Sequence, residues 1–77
     1  MSKAERILSM YDRLLKGGVL VKAEEATRFD VDTRTIQRDL DDIRAHLSEE
    51  GVREKELVYD RNRMGYVLKK NQKEIDK

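Results

Sequence analysis

The 77-residue sequence has no cysteine, no proline and no tryptophan, and it has only four glycines and one histidine. Without cysteine, it offers no disulfide framework, no thiolate zinc site and no nucleophilic thiol, and a reducing compartment suits it. No apolar run approaches the roughly 20 residues that a membrane-spanning helix needs, and the N-terminus lacks the apolar core of a signal peptide. The sequence therefore predicts one small cytoplasmic domain with a single function.

Charged residues are abundant, at 43% of the chain, yet the formal net charge is only +1. The two signs are separated along the chain, because acidic residues concentrate between positions 39 and 50, whereas basic residues concentrate at Arg34 and Arg38 and again between positions 53 and 70. Such separation can give a nearly neutral protein one cationic surface. The net charge is therefore weak evidence for a nucleic-acid partner, and the distribution is more informative.

One segment in the middle of the chain joins a helix-start signal to a helix with two contrasting faces. Asp32 can cap this helix by accepting hydrogen bonds from the amides of Arg34 and Thr35. Four apolar residues then recur at spacings of four, three and four, and so share one face: Ile36, Leu40, Ile43 and Leu47. The opposite face carries Arg34 and Arg38 one turn apart, with Gln37 beside them. Like charges at this spacing repel each other, which favours an anion there, although a solvated charged face is the ordinary explanation for an isolated helix.

Further helices are predicted before this one. Ser2 and Glu5 form a capping box that starts a first helix, which ends at glycines 17 and 18. Its predicted apolar side has six members, with Met10 at the edge of the stripe: Ala4, Ile7, Leu8, Tyr11, Leu14 and Leu15. A short strand is predicted at 19–21 and a second helix at 22–29, with a small apolar edge made of Ala23, Ala26 and Phe29. Glu24 and Glu25 are expected on the solvated surface, and Asp30 suits a left-handed turn.

Two strand-like alternations follow the third helix, around a loop at 61–65 in which Asn62 and Gly65 are available for positive φ. A hairpin with Arg61 and Arg63 at its tip is typical of a wing. The order helix, short strand, helix, helix, strand, strand predicts a mainly α (α+β) winged helix-turn-helix. We assign this domain to residues 1–69 and a charged tail or linker to residues 70–77.

The sequence resembles the N-terminal DNA-binding domain of bacterial transcriptional regulators of the DeoR-like and WYL-domain type. The most specific part is FDVDTRTIQRDL at 29–40, which is similar to the family pattern Phe-x-Val-Ser-x-Arg-Thr-Ile-x-Arg-Asp-Leu. The opening residues 3–8 and the hairpin residues 59–68 are also similar. The resemblance implies sequence-specific binding of double-stranded DNA, with a recognition helix at 33–48 in the major groove and a wing at 54–69 on the backbone or minor groove.

The resemblance also implies a set of DNA-contacting residues on the recognition helix and the wing tip: Thr33, Arg34, Thr35, Gln37, Arg38, Arg61 and Arg63. Gln37 stands where arginine is frequent in the family, so the preferred base at that position can differ. Ala26 stands where leucine is usual, so Ala23 and Phe29 are expected to carry more of the packing. WYL-type regulators generally have a larger effector-binding domain after the wing, and nothing here corresponds to it. The resemblance therefore implies either that this is an excised domain or that the C-terminal effector-binding domain is missing by nature. The sequence leaves the oligomeric state open, with a homodimer as one possibility.

An enzyme, a cofactor and a metal site are not expected. His46 lies beside the apolar stripe, and three aspartates point in different directions from the helix, which argues against a three-carboxylate metal site: Asp39, Asp41 and Asp42. Asp39 is closest to the core side and is expected to orient a basic side chain. The alternative function is a winged-helix module for protein–protein interaction without DNA binding. Such a module would have no need of the surface formed by Arg34, Gln37 and Arg38.

Overall fold

The computed structural model describes residues 2–49 and 55–70, and in these ranges it has three helices and one antiparallel hairpin. The helices are α1 (Lys3–Leu15), α2 (Lys22–Phe29) and α3 (Thr33–Glu49), and the strands are β1 (Lys55–Asp60) and β2 (Gly65–Lys70). The expected mainly helical α+β composition is confirmed. No helix in the described part of the chain is both long enough and apolar enough to cross a membrane.

Helix α1 begins at the predicted capping box. The Ser2 hydroxyl accepts a hydrogen bond from the Glu5 amide at 3.2 Å, and the Glu5 carboxylate accepts one from the Ser2 amide at 2.9 Å. The bond from the Ser2 amide favours the ionised carboxylate, and it is the chief cause that lowers the pKa of Glu5 below its usual value. The helix ends at Leu15, with Lys16 as its C-cap, and the chain then turns through Gly17, whose φ of 88° is readily adopted only by glycine.

The buried face of α1 differs from the prediction. Met10 is fully buried, with 0% of its surface exposed, whereas Leu8 and Leu15 are 67% and 49% exposed. The helix is rotated so that Arg6 and Arg13, seven residues apart, both face buried carboxylates on neighbouring helices. Apolar periodicity takes no account of these two cations. It therefore placed Met10 at the edge of the predicted buried face.

A tight turn joins α2 to α3. Asp30 adopts the predicted left-handed conformation, with φ 56° and ψ 49°, and the amide of Val31 donates to the carbonyl of Ala26 at 2.9 Å. Asp32 then caps α3, since its Oδ1 accepts hydrogen bonds from the amide of Thr35 at 2.9 Å and from its hydroxyl at 2.8 Å. The described contacts include no bond from the amide of Arg34 to this carboxylate.

The core lies between the three helices and the hairpin. The predicted stripe of α3 is confirmed, because its four apolar residues are all buried, and they cluster with Met10, Leu14, Leu20, Ala26 and Leu57. Phe29 packs against this cluster from α2, as expected, but Ala23 is exposed. Helix α2 is thus held by Ala26, Phe29 and the polar contact described below.

An isolated β-bridge joins the hairpin to the segment between α1 and α2. Leu20 donates to the carbonyl of Tyr66 at 2.9 Å, and Tyr66 donates to the carbonyl of Leu20 at 2.7 Å. The predicted short strand at 19–21 is therefore a single bridged residue. A Cβ on Gly65 would lie 2.5 Å from Val19 Cγ1 and 2.8 Å from the carbonyl oxygen of Leu20, so glycine permits this close approach.

The loop of the hairpin differs from its prediction in one respect. Among its residues Met64, and not Asn62 or Gly65, has positive φ, at 58°. The turn is organised by Asp60, whose Oδ1 accepts hydrogen bonds from the amides of Asn62 at 2.9 Å and Arg63 at 3.3 Å. The sequence therefore located the turn but not the residue that takes the left-handed conformation.

Candidate nucleic-acid interface

The position of α3 is fixed from its buried side by an ion pair with α1. Arg6 Nε donates to Asp39 Oδ2 and Arg6 Nη2 donates to Asp39 Oδ1 at 3.2 Å, a two-point contact in which only 1% of the Asp39 side chain is exposed. The bond to Asp39 raises the pKa of the Arg6 guanidinium above its usual value. The expectation that Asp39 orients a basic side chain agrees with this contact, and the side chain is Arg6.

A second two-point contact joins α1 to α2. Arg13 Nη1 donates to Glu25 Oε2 at 2.8 Å and Arg13 Nη2 donates to Glu25 Oε1 at 2.6 Å, and the Glu25 side chain is 2% exposed. Arg28 Nε is also 3.5 Å from Glu25 Oε1. The expectation that Glu25 is a solvated surface residue is therefore wrong. Its place one turn before Phe29, on the inward side of α2, was the available signal.

The opposite face of α3 presents cations to solvent. Thr33, Arg34 and Arg38 are exposed, and within the described ranges no carboxylate lies within 4.0 Å of the guanidinium of either arginine. The pKa of Asp32 lies below its usual value, chiefly because of the two hydrogen bonds from Thr35 and to a smaller extent because of the charges of Arg34 and Arg38. The first turns of α3 therefore form an electropositive surface.

Two of the predicted helix residues already have partners within the protein. The hydroxyl of Thr35 is bonded to Asp32, so this residue stabilises the start of α3. Gln37 is held at both ends of its amide, since Oε1 accepts a hydrogen bond from Lys22 Nζ at 2.8 Å and Nε2 donates to Asp41 Oδ1 at 3.0 Å. The sequence contains no local signal that places Lys22 in the site, because the contact joins residues that are 15 positions apart.

The polar contacts of Gln37 continue towards the hairpin. Asp41 Oδ1 lies 3.7 Å from Arg44 Nη1, and Arg44 Nη2 donates to the carbonyl of Leu57 in β1 at 3.3 Å. We call the four side chains in this chain of contacts, Lys22, Gln37, Asp41 and Arg44, the Gln37 network. It runs from the start of α2 along α3 to the hairpin.

The two hairpin arginines lie apart from this network. Arg61 and Arg63 are exposed in the turn between the strands, and Arg63 Nε is 3.9 Å from Asp60 Oδ2. In the part of the chain that the structure describes, no hydrogen bond or ion pair joins either arginine to α3. The seven predicted site residues thus form two groups, five on the first turns of α3 and two at the hairpin tip.

The described residues contain no group of three carboxylate or imidazole side chains placed to hold a metal ion. No protein-family model, curated protein or solved structure matches the chain. The functional conclusion therefore depends on the geometry of the chain's own residues.

Proposed function

We propose that this chain is a winged helix-turn-helix domain that binds double-stranded DNA sequence-specifically, as the DNA-binding part of a bacterial transcriptional regulator. Helix α2, the tight turn at 30–32 and α3 have the spacing of a helix-turn-helix, in which the second helix enters the major groove. The hairpin that follows is the wing. The resemblance of residues 29–40 to the recognition segment of DeoR-like and WYL-type regulators supports the same proposal.

The observation that carries the proposal is the pair of exposed arginines, Arg34 and Arg38, on the face of α3 opposite its buried stripe. Neither guanidinium forms an ion pair with a described carboxylate, and phosphate groups would offset the repulsion between the two. Arginine also makes two-point hydrogen bonds to guanine edges in the major groove. One face of α3 can therefore supply both affinity and base discrimination.

The buried side of α3 supports this function by fixing the helix before DNA arrives. Asp39 of α3 and Glu25 of α2 each form an ion pair with an arginine of α1. A recognition helix that is already ordered loses less conformational entropy on binding, which favours affinity. The arginines at the wing tip, Arg61 and Arg63, would contact phosphates or the adjacent minor groove and add affinity with little sequence information.

A salt titration tests this function directly. The full chain is titrated against a labelled random-sequence duplex and then against duplexes selected from a random pool, at several salt concentrations. We expect log affinity to fall linearly with log salt, with a slope of roughly −0.9 for each phosphate neutralised. We also expect the selected duplexes to bind more tightly than the random one. Absence of binding at low salt would contradict the proposal and favour the protein-interaction module.

A further inference from the structure

We propose that Lys22 and Asp41 are positioning residues that fix the amide orientation of Gln37 and thereby set its base preference. This inference rests on the proposed function, and it adds two residues that make no base contact of their own to the determinants of specificity. The Lys22 ammonium holds Oε1 of Gln37 at 2.8 Å, and the Asp41 carboxylate holds Nε2 at 3.0 Å.

These two contacts allow only one orientation of the amide. An ammonium group donates hydrogen bonds and has no acceptor, and an ionised carboxylate accepts them and has no donor. Rotating the amide by half a turn would place its NH₂ group against the Lys22 ammonium and its oxygen against the Asp41 carboxylate. Both contacts would then be repulsive, so the observed orientation is strongly preferred.

The anchored amide still has capacity for a base. Its oxygen can accept two hydrogen bonds and its nitrogen can donate two, and each anchor uses one. One acceptor site and one N–H remain, and a two-point contact with N6 and N7 of adenine needs one of each. Because the order of acceptor and donor is fixed, the amide favours a base edge that presents its donor and acceptor in the matching order.

The network also explains an acidic residue on a face that is proposed to meet DNA. Asp41 follows Arg34 by seven residues and Arg38 by three, so it lies along the same side of α3. Its charge is partly balanced by Arg44, whose other nitrogen is bonded to the hairpin at Leu57. Asp41 is thereby held as an acceptor for Gln37.

The test uses two double variants that are matched in charge. Lys22→Met with Asp41→Asn removes both charged groups that fix the orientation of the Gln37 amide, and it leaves the net charge unchanged. The control, Lys3→Met with Asp42→Asn, removes an exposed ion pair of 2.8 Å between α1 and α3 and also leaves the net charge unchanged. Gln37→Ala identifies the base position that Gln37 contacts, as the position whose preference disappears when bound duplexes are selected from a random pool.

At that position, we expect Lys22→Met/Asp41→Asn to reduce the affinity ratio between the preferred base pair and the next best by about tenfold. The preferences at other positions and all those of the control variant should match the wild type. Asp41→Asn alone should act in the same direction with a smaller effect, because an asparagine can pair with either end of the glutamine amide. Circular dichroism and thermal melting of each variant establish that it is folded.

Three results would contradict the inference and leave the proposed function intact. They are an unchanged base preference in Lys22→Met/Asp41→Asn, an equal change in the control variant, and the absence of any base position that responds to Gln37→Ala. Failure of the wild type to bind any duplex would instead remove the proposed function itself. The two failures are therefore distinguishable in one set of selections.

Discussion

The two faces of α3 differ in where their charges find partners. On the buried face, Asp39 is 1% exposed and is bonded at two points to Arg6 of α1. On the exposed face, Arg34 and Arg38 have no described carboxylate within salt-bridge distance. Arg38 and Asp39 are neighbours in sequence, yet the charge of Asp39 is compensated within the fold and the charge of Arg38 is exposed to solvent. This contrast distinguishes the residues that fix α3 within the fold from the residues that α3 presents to solvent.

The largest effect is expected on the buried face. Arg6→Met would leave the Asp39 carboxylate buried without its guanidinium, and breaking a buried ion pair from one side costs about 3–5 kcal/mol. Since the unfolding free energy of a small domain is only about 5–15 kcal/mol, a large fraction of the stability would be lost. Urea unfolding followed by circular dichroism at neutral pH measures the change.

Two matched variants sharpen this prediction. Arg13→Met makes the same substitution in the same helix, but Glu25 would retain Arg28 at 3.5 Å, so the loss should be smaller. The double variant Arg6→Met/Asp39→Leu removes both charges, and it should recover a large part of the stability because no buried charge is left alone. A loss for Arg6→Met no larger than that for an exposed residue would show that the ion pair does not hold α3.

Local patterns predicted much of the fold. The stripe from Ile36 to Leu47, the cap at Asp32 and the left-handed Asp30 are properties of short segments, and all three are present in the structure. The prediction of which face of α1 is buried was wrong for a physical reason. Its rotation depends on carboxylates supplied by two other helices, and apolar periodicity contains no information about them.

The candidate site, like the fold, could be predicted only in part from the sequence. The exposure of Arg34 and Arg38 follows from their position opposite the apolar stripe. The anchoring of Gln37 does not, because it requires α2 to bring Lys22 alongside α3. Contacts that depend on packing between helices were therefore missed, whether they stabilise the core or position a surface side chain.

The second prediction concerns the exposed face. Arg38→Ala should lower the affinity for a selected duplex by about tenfold, because one two-point contact with a guanine edge or one phosphate contact would be lost. The unfolding free energy should stay within about 0.5 kcal/mol of the wild type, as is usual for a surface substitution without buried partners. Fluorescence anisotropy at constant salt gives the affinity, and urea unfolding gives the stability.

Lys16→Ala is the matched control for this variant. It also removes one exposed cation, but at the end of α1, where Lys16 is paired with Asp12 at 3.1 Å. An equal loss of affinity in both variants would indicate a general charge effect and would remove the distinction between the faces of α3. Unchanged affinity in Arg38→Ala would exclude this arginine from the interface.

The smallest effect is expected at the Asp32 cap, at the start of α3. The pKa of Asp32 is lowered in the folded state, so its ionised form contributes stability above the pKa of the unfolded chain, about 3.9 for aspartate, and this contribution disappears as the pH falls through the folded-state pKa. Asp32→Asn keeps a capping oxygen that does not titrate. The stability difference, wild type minus Asp32→Asn, should therefore shrink as the pH is lowered from about 5 towards 2, as measured by urea unfolding at each pH. The NMR titration of the Asp32 carboxyl carbon should have its midpoint below that of an ordinary aspartate. A stability difference that grows on acidification would contradict the assignment of Asp32 as the cap of α3.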